Sequence, residues 1–318
     1  MEPHIQACDV LVTEDAPSAS FQQMLVGNMP IDDYLHATDI EYPEFGKQMC
    51  LLWRRSHKAG LPVIQIEPFI ENLIEIHDKF ADGGSPQDIE SGTLRHRVYL
   101  AERRATGELL DFYQVSMSGH FDAVIAATKQ FARTDARRFV LRDQLRAAAI
   151  RPLLDTYSHI CVEAGQMHMA LARLLRQSLP AEVKLKPVFL MRPIVSRLGP
   201  KRHLFGPGDL LTLLYVFHPN LDRERHTLLA AQALIYNKVI VKEEQVPDKT
   251  PYPHALDELQ TIALVNRLSL DDCRILFDKI RRIPTARARM AVYRYLRQSN
   301  RIHRHTQRAP ASKIGGQP

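Results

Sequence analysis

The chain has 318 residues, 45% of them apolar and 25% charged, with a formal net charge of +6. That composition can bury a sizeable core, as two domains or one with a long appendage, and it excludes collagen-like and linker-like chains. No apolar run approaches the ~20 residues of a membrane span, and the opening MEPHIQACD has neither the basic nor the apolar segment of a secretory signal. Cys8, Cys50, Cys161 and Cys273 form no CxxC, which suits a reduced, cytoplasmic protein that uses them as small core residues.

In chain order, CDVLVTEDAP (8–17) predicts a short strand running into two acids and a proline. FGKQMCLLWRRSHKAG (45–60) places Phe45, Met49, Leu52 and Trp53 at helical spacing and stops at Gly60. LPVIQIEPF (61–69) is a second strand ending in an acid and a proline, and FIENLIEIHDKFA (69–81) an amphipathic helix closed by DGGSP. Residues 95–116 and 121–154 read as helix throughout. HICVEAG (159–165) is a third strand, MHMALARLLRQS (167–178) the helix after it, and VKLKPVFLM (183–191) a fourth strand candidate.

Short apolar strands separated by helices point to an α/β fold, a mostly parallel sheet covered by helices, with the long helical stretch as an insertion. Right-handed crossovers gather the C-terminal ends of such strands on one edge, where open sheets bind ligands. Three of the four expected ends carry polar groups: Glu14 with Asp15, Glu67, and Gly165 with His168. After residue 195 the pattern becomes all-α. Asp209 caps a helix in FGPGDLLTLLYVFHPN, another covers 225–244, and two more lie in 256–283, the second capped by Ser269 or Asp271. Residues 306–318 are low in hydrophobicity and are expected to be a disordered tail.

An acid at a strand end often does no more than cap the next helix. Gly165 can take a backbone conformation closed to residues with a Cβ, letting the strand turn sharply. His168 then lies in the first turn of the next helix, where a neutral imidazole suits metal ligation or proton transfer near pH 7. Taken alone, such a histidine is more often structural.

The order strand–acid, strand–acid, RRFVLRDQLRAAAI (137–150), strand–GQMH–helix resembles the TraB/TIKI/ChaN-like (erythromycin esterase-like) superfamily over roughly residues 5–190. In that superfamily a strand ends in Glu, a later helix carries Arg followed by Asn or Asp, and a G-x-x-H follows a β-branched strand. Glu14 in LVTED, Arg142 and Asp143 in LRDQLRAAA, and Gly165 and His168 in CVEAGQMHMALARLL match those elements. A further G-x-x-H on an opening strand has no counterpart, so residues 1–195 are expected to be an N-terminally incomplete domain whose true start lies upstream of Met1.

The resemblance implies metal-dependent hydrolysis, or ligand binding, at a His/Glu cluster, with a small molecule or peptide as substrate. His168 and Glu14 would hold a divalent metal ion, rather than haem, or activate a water directly. Arg142 would stabilise an oxyanion or pair with Glu14. Asp143 would be a helix residue or an acceptor behind the site. Glu67 would be an accessory acid or a helix cap, and Asp15, Glu163 and Gly165 would lie on the substrate side. Glu163 would enter the site or satisfy a neighbouring arginine. The alternative is a degenerate relative that binds and regulates without catalysis.

Two other groupings read as structural: His254 with Asp257 and Glu258 as a loop and helix cap, and FGPGD as a turn without the phosphate-binding pattern. The basic end is different. From Lys279 onward there are nine Arg, two Lys and no acid, which leaves −5 for the preceding chain. Within a helical domain at 196–305, Arg281, Arg282, Arg287, Arg289, Arg294 and Arg297 interleave with Tyr293 and Tyr295, with His303 and His305 beyond. Uncompensated arginine beside aromatics suits nucleic acid, an anionic membrane surface, or a solubilising helix on an acidic body.

Overall fold

A computed structural model describes residues 2–38, 40–199, 203–248 and 250–306, with residues 299–306 described by backbone alone. A single turn, α1 (Glu2–Ile5), precedes strand β1 (Val10–Thr13). Helices α2 (Ala19–Val26), α3 (Ile31–Ala37) and α4 (Pro43–Lys58) lead to β2 (Val63–Gln65) and α5 (Pro68–Ala81). The long helices α6 (Leu94–Ser118) and α7 (Phe121–Ile150) pack together before β3 (Ile160–Val162) and α8 (Met169–Ser178). Then come α9 (Arg192–Leu198), α10 (Pro207–Phe217), α11 (Glu224–Val239), α12 (Pro253–Val265), α13 (Leu270–Ile280) and α14 (Thr285–Thr306).

The sheet is parallel, in the order β2-β1-β3, with Leu11 opposite both Val63 and Cys161. All four residues of β1 are buried, as a central strand covered on both faces requires. Alternation sends Leu11 into an apolar cluster with α2–α4, and Val12 into another with Ala147 of α7 and Leu171 and Leu175 of α8. All three C-terminal ends therefore share one edge, against α7.

The α/β expectation holds in coarse form: this is a mainly helical protein around a small parallel sheet. VKLKPVFLM forms no strand. Pro187 cannot donate to a ladder, and Val188, Phe189, Leu190 and Met191 are all exposed. After residue 206 every described element is a helix. The largest apolar cluster joins these helices to the first half of α7 and to Ala170 of α8, so it crosses the boundary drawn at residue 195. Ser269 caps α13, in a reciprocal pairing with Asp272. Asp209 is not the N-cap of α10: Gly206 is, and Asp209 accepts its N–H from the third helical position. Phe45 is 64% exposed rather than part of the buried stripe of α4. Among the described residues, no helix is long and apolar enough to cross a membrane. Residues 307–318 of the expected tail lie outside the described residues, and Thr306 is the last residue of α14.

Candidate functional site

Glu14 directly follows β1, Glu67 stands at the start of α5 one residue beyond Ile66, and Glu163 directly follows β3. Across this edge runs α7, which turns a buried stripe of Asp143, Arg146, Ala147 and Ile150 towards the sheet, the three- and four-residue spacing of one helix face. His168 is the N-cap residue of α8, but its side chain makes no capping bond. It points into the cluster instead.

There both ring nitrogens meet carboxylates. Nε2 lies 2.8 Å from Glu14 Oε1, and Nδ1 is hydrogen-bonded to Asp143 Oδ1. The Gly165 N–H donates to Glu14 Oε2. Arg142 donates to Glu67 Oε1 at 3.2 Å and reaches Glu14 Oε1 at 3.5 Å. Arg146 reaches Glu14 Oε2 at 3.5 Å and Glu67 Oε2 at 3.3 Å. It also donates to the carbonyls of Ile66 (3.0 Å), Glu163 (2.9 Å) and Thr13 (3.5 Å). One fully buried guanidinium thus ties the ends of all three strands together. The sequence reading missed Arg146. Its signal was the buried stripe itself, since Arg146 is four residues from Arg142 and three from Asp143.

The electrostatics follow from these contacts. Burial alone would drive the His168 imidazole neutral, but the bonds to Asp143 and Glu14 outweigh it and raise its pKa to about 9. Burial opposes ionisation of Glu14 too, yet His168, Gly165 and Arg146 together hold its carboxyl below the usual range. At neutral pH the pair is an imidazolium beside a carboxylate. Burial pushes Glu67 up, against the pull of Arg142 and Arg146. Asp15 is raised by burial and by Glu14. Glu163 is raised to about 7 by burial and by Asp15 and Glu14, with Trp53 and Arg146 opposing, and its Oε2 is buried without a hydrogen-bond partner.

The structure brings together Glu14, Glu67, Arg142, Gly165 and His168, with Asp143 as the acceptor behind the imidazole. Arg142 pairs with Glu14, one of its two expected roles. Glu67 makes no capping bond with its side chain, which is spent on the two arginines. Asp15 and Glu163 stand at the margin, near enough to Glu14 for its charge to raise the pKa of both. Gly165 is not among the glycines of positive φ, and a Cβ there would meet Glu14 Oε2 at 3.4 Å, an ordinary contact. What it contributes is its N–H, not an unusual backbone.

The donor set does not fit a resident cation. Glu14 is held by an imidazolium, a backbone N–H and two guanidiniums, and neither nitrogen of His168 is open. Among the described residues, no group of three or more His, Cys, Asp or Glu is arranged to hold a metal ion. Of the six ion-paired side chains, Glu14 (22% exposed) and Arg142 (17%) reach solvent, while His168, Asp143, Arg146 and Glu67 stand behind them.

A further expectation concerns Glu163. Its folded pKa lies above its unfolded value near 4.5, so it favours the fold at pH below about 4.5 and this contribution is lost as pH rises through about 7. Glu163→Gln is therefore expected to stabilise the protein by roughly 1–2 kcal/mol at pH 8 and by much less at pH 5. Urea unfolding at the two pH values measures this, and an equal effect at both would contradict it.

Elsewhere the structure splits the arginines of the basic end. Arg281 donates to the Gly119 carbonyl, and Arg289 is turned inward onto Val239 O, Asp257 and Thr261. Both guanidiniums are engaged within the fold, where they hold helices together. Tyr295 also packs inward, with its hydroxyl on Asp272. Arg282, Arg287, Arg294 and Arg297 are exposed, and the side chains of His303 and His305 lie outside the described residues. His254 accepts from the Gln245 N–H and Asp257 from the Val241 N–H, the structural roles expected for that loop.

Fold and site together define a helix-rich protein with a carboxylate–imidazole–carboxylate cluster, laced by two arginines, at the C-terminal edge of a small parallel sheet. An uncharacterized protein of Archaeoglobus fulgidus is similar to this chain, 27% identical over 269 residues that cover 84% of this chain and 88% of its own length. No family model and no solved structure matches the chain.

Proposed function

We propose that this chain is a hydrolase-type or ligand-binding protein of the TraB/TIKI/ChaN-like class, working at the carboxyl ends of β1 and β3. The observation that carries the reading is the convergence of Glu14, Asp143 and His168 from three separate elements, with both imidazole nitrogens engaged. Glu14 and Arg142 form the accessible front. Arg142 is placed to receive a carbonyl or carboxylate oxygen on which negative charge builds. Glu14 would take a proton from an attacking water and return it to the leaving group, while the His168 imidazolium behind it, fixed by Asp143, orients the carboxylate. A low carboxyl pKa makes Glu14 a weak base at rest. A ligand that draws Arg142 away from it would strengthen it.

The test is a panel of esters, lactones and short peptides, with turnover and ligand-induced thermal shifts both recorded. Glu14→Gln and His168→Asn, each shown to be folded, are expected to lower kcat/KM on any responsive substrate by about 100-fold or more. A ligand that shifts the melting temperature without turnover, and loses the shift in both variants, supports the non-catalytic form of the same reading. Turnover or binding that survives both substitutions would falsify it.

A further inference from the structure

We infer that the outward face of α14 is a docking surface for the phosphate backbone of single-stranded nucleic acid, separate from the Glu14–His168 cluster. The helix is amphipathic in an unusual sense. Its apolar side is already used: Ala288, Val292 and Leu296, at four-residue intervals, are buried in the largest core cluster beside α11 and α13. Arg289 is spent on Asp257 and Thr261. The opposite side repeats Arg287, Met290, Arg294 and Arg297 at three- and four-residue intervals, all exposed, and Tyr293 beside them is 38% exposed.

Among the described residues, none of Arg287, Arg294 and Arg297 forms an ion pair, and the sequence holds no acid from Lys279 onward that could supply a partner one helical turn away. The remainder of the chain carries −5, so a polyanion is repelled by the body and attracted at this end. At a 1.5 Å rise per residue, Arg287 and Arg297 lie about 15 Å apart along the axis. A strand laid along the helix meets the arginines in succession.

Two features favour nucleic acid over a membrane. An interfacial helix needs an apolar face to sink into lipid, and here that face is packed into the core. The exposed side offers an aromatic ring among guanidiniums, the combination on which unpaired bases stack while the backbone is neutralised. Binding of this kind is insensitive to sequence and steep in salt.

The experiment is fluorescence anisotropy of a labelled, mixed-sequence single-stranded DNA of about 30 nucleotides against the full chain across salt. Three charges are removed together in one triple variant, Arg287→Gln, Arg294→Gln and Arg297→Gln. Three phosphate contacts at roughly 0.7 each should lower the slope of log K against log salt by about 2, which is about 100-fold in affinity at about 0.1 M salt. All three side chains are exposed, so the melting temperature should be unchanged. A control with the same charge change on α6, Arg97→Gln, Arg103→Gln and Arg104→Gln, should bind as the wild type does. The inference is overturned if the wild type does not retain the strand, if both triple variants weaken it equally, or if the α14 variant loses binding to phosphatidylserine vesicles but not to DNA.

Discussion

Replacing Arg146 with Met is expected to cost roughly 3–5 kcal/mol, seen as a fall in melting temperature of about 10 °C. The guanidinium is fully buried among five acceptors: Glu14 and Glu67, and the carbonyls of Thr13, Ile66 and Glu163. A methionine of similar length fills the volume but leaves Glu67, itself without exposed surface, facing Arg142 alone. Three strand-end carbonyls lose a donor in the same step. Breaking one half of a buried charge network is costly because the other half stays desolvated. Arg146→Lys keeps the charge, but a single ammonium cannot span five acceptors, so an intermediate loss is expected. Arg142→Met also strips a donor from buried Glu67 and should cost about 2 kcal/mol, less than Arg146→Met because Arg146 still faces that carboxylate. Denaturant titration and thermal melting measure all three. An Arg146→Met protein as stable as the wild type would show that the ties at the strand ends carry no weight.

The second large effect is a dependence on alkaline pH. The pKa of His168 is about 9 in the fold against 6.5 ordinarily, so the folded state holds this proton more tightly than the unfolded chain does. Its contribution is complete below pH 6.5 and is lost as pH rises through about 9. The full interval corresponds to about 3 kcal/mol. A difference curve between wild type and His168→Gln, taken from pH 6 to 10, should show that loss. Asp143→Asn removes one of the two carboxylates that outweigh burial, so the imidazole should titrate lower and the alkaline limb should flatten. The ring proton signal of His168 in NMR reports the midpoint directly. A wild-type midpoint near 6.5 would mean that the two carboxylates do not hold the imidazolium as the geometry requires.

Much of the site is legible because it was written locally. LVTED and CVEAG each mark a strand by a short β-branched run and place a polar group directly after it. The pattern LRDQLRAAA marks a helix and puts Arg142 and Asp143 on it, and GQMH marks the turn into α8. Periodicity likewise separated the all-α region after residue 195 from the sheet-bearing part. VKLKPVFLM misled for the converse reason. Its composition is that of a strand, but Pro187 removes a ladder donor and no partner strand lies beside it.

The sequence by itself thus determined the three strands, their order, and which chemistry-bearing side chains stand at their ends, since those are set by spacings of two to four residues. Tertiary structure alone decided the pairings. Glu14 meets Gly165 and His168 across more than 150 positions of chain, and no periodicity encodes such a contact. It decided that Arg146, rather than the glycine's backbone freedom, organises the strand ends. It also decided that the face of α14 bearing Ala288, Val292 and Leu296 would be buried, which turned Arg289 inward and left Arg287, Arg294 and Arg297 in solvent. Burial assigns each charge its task, and burial is a property of what packs against a residue, not of the residue's neighbours in sequence.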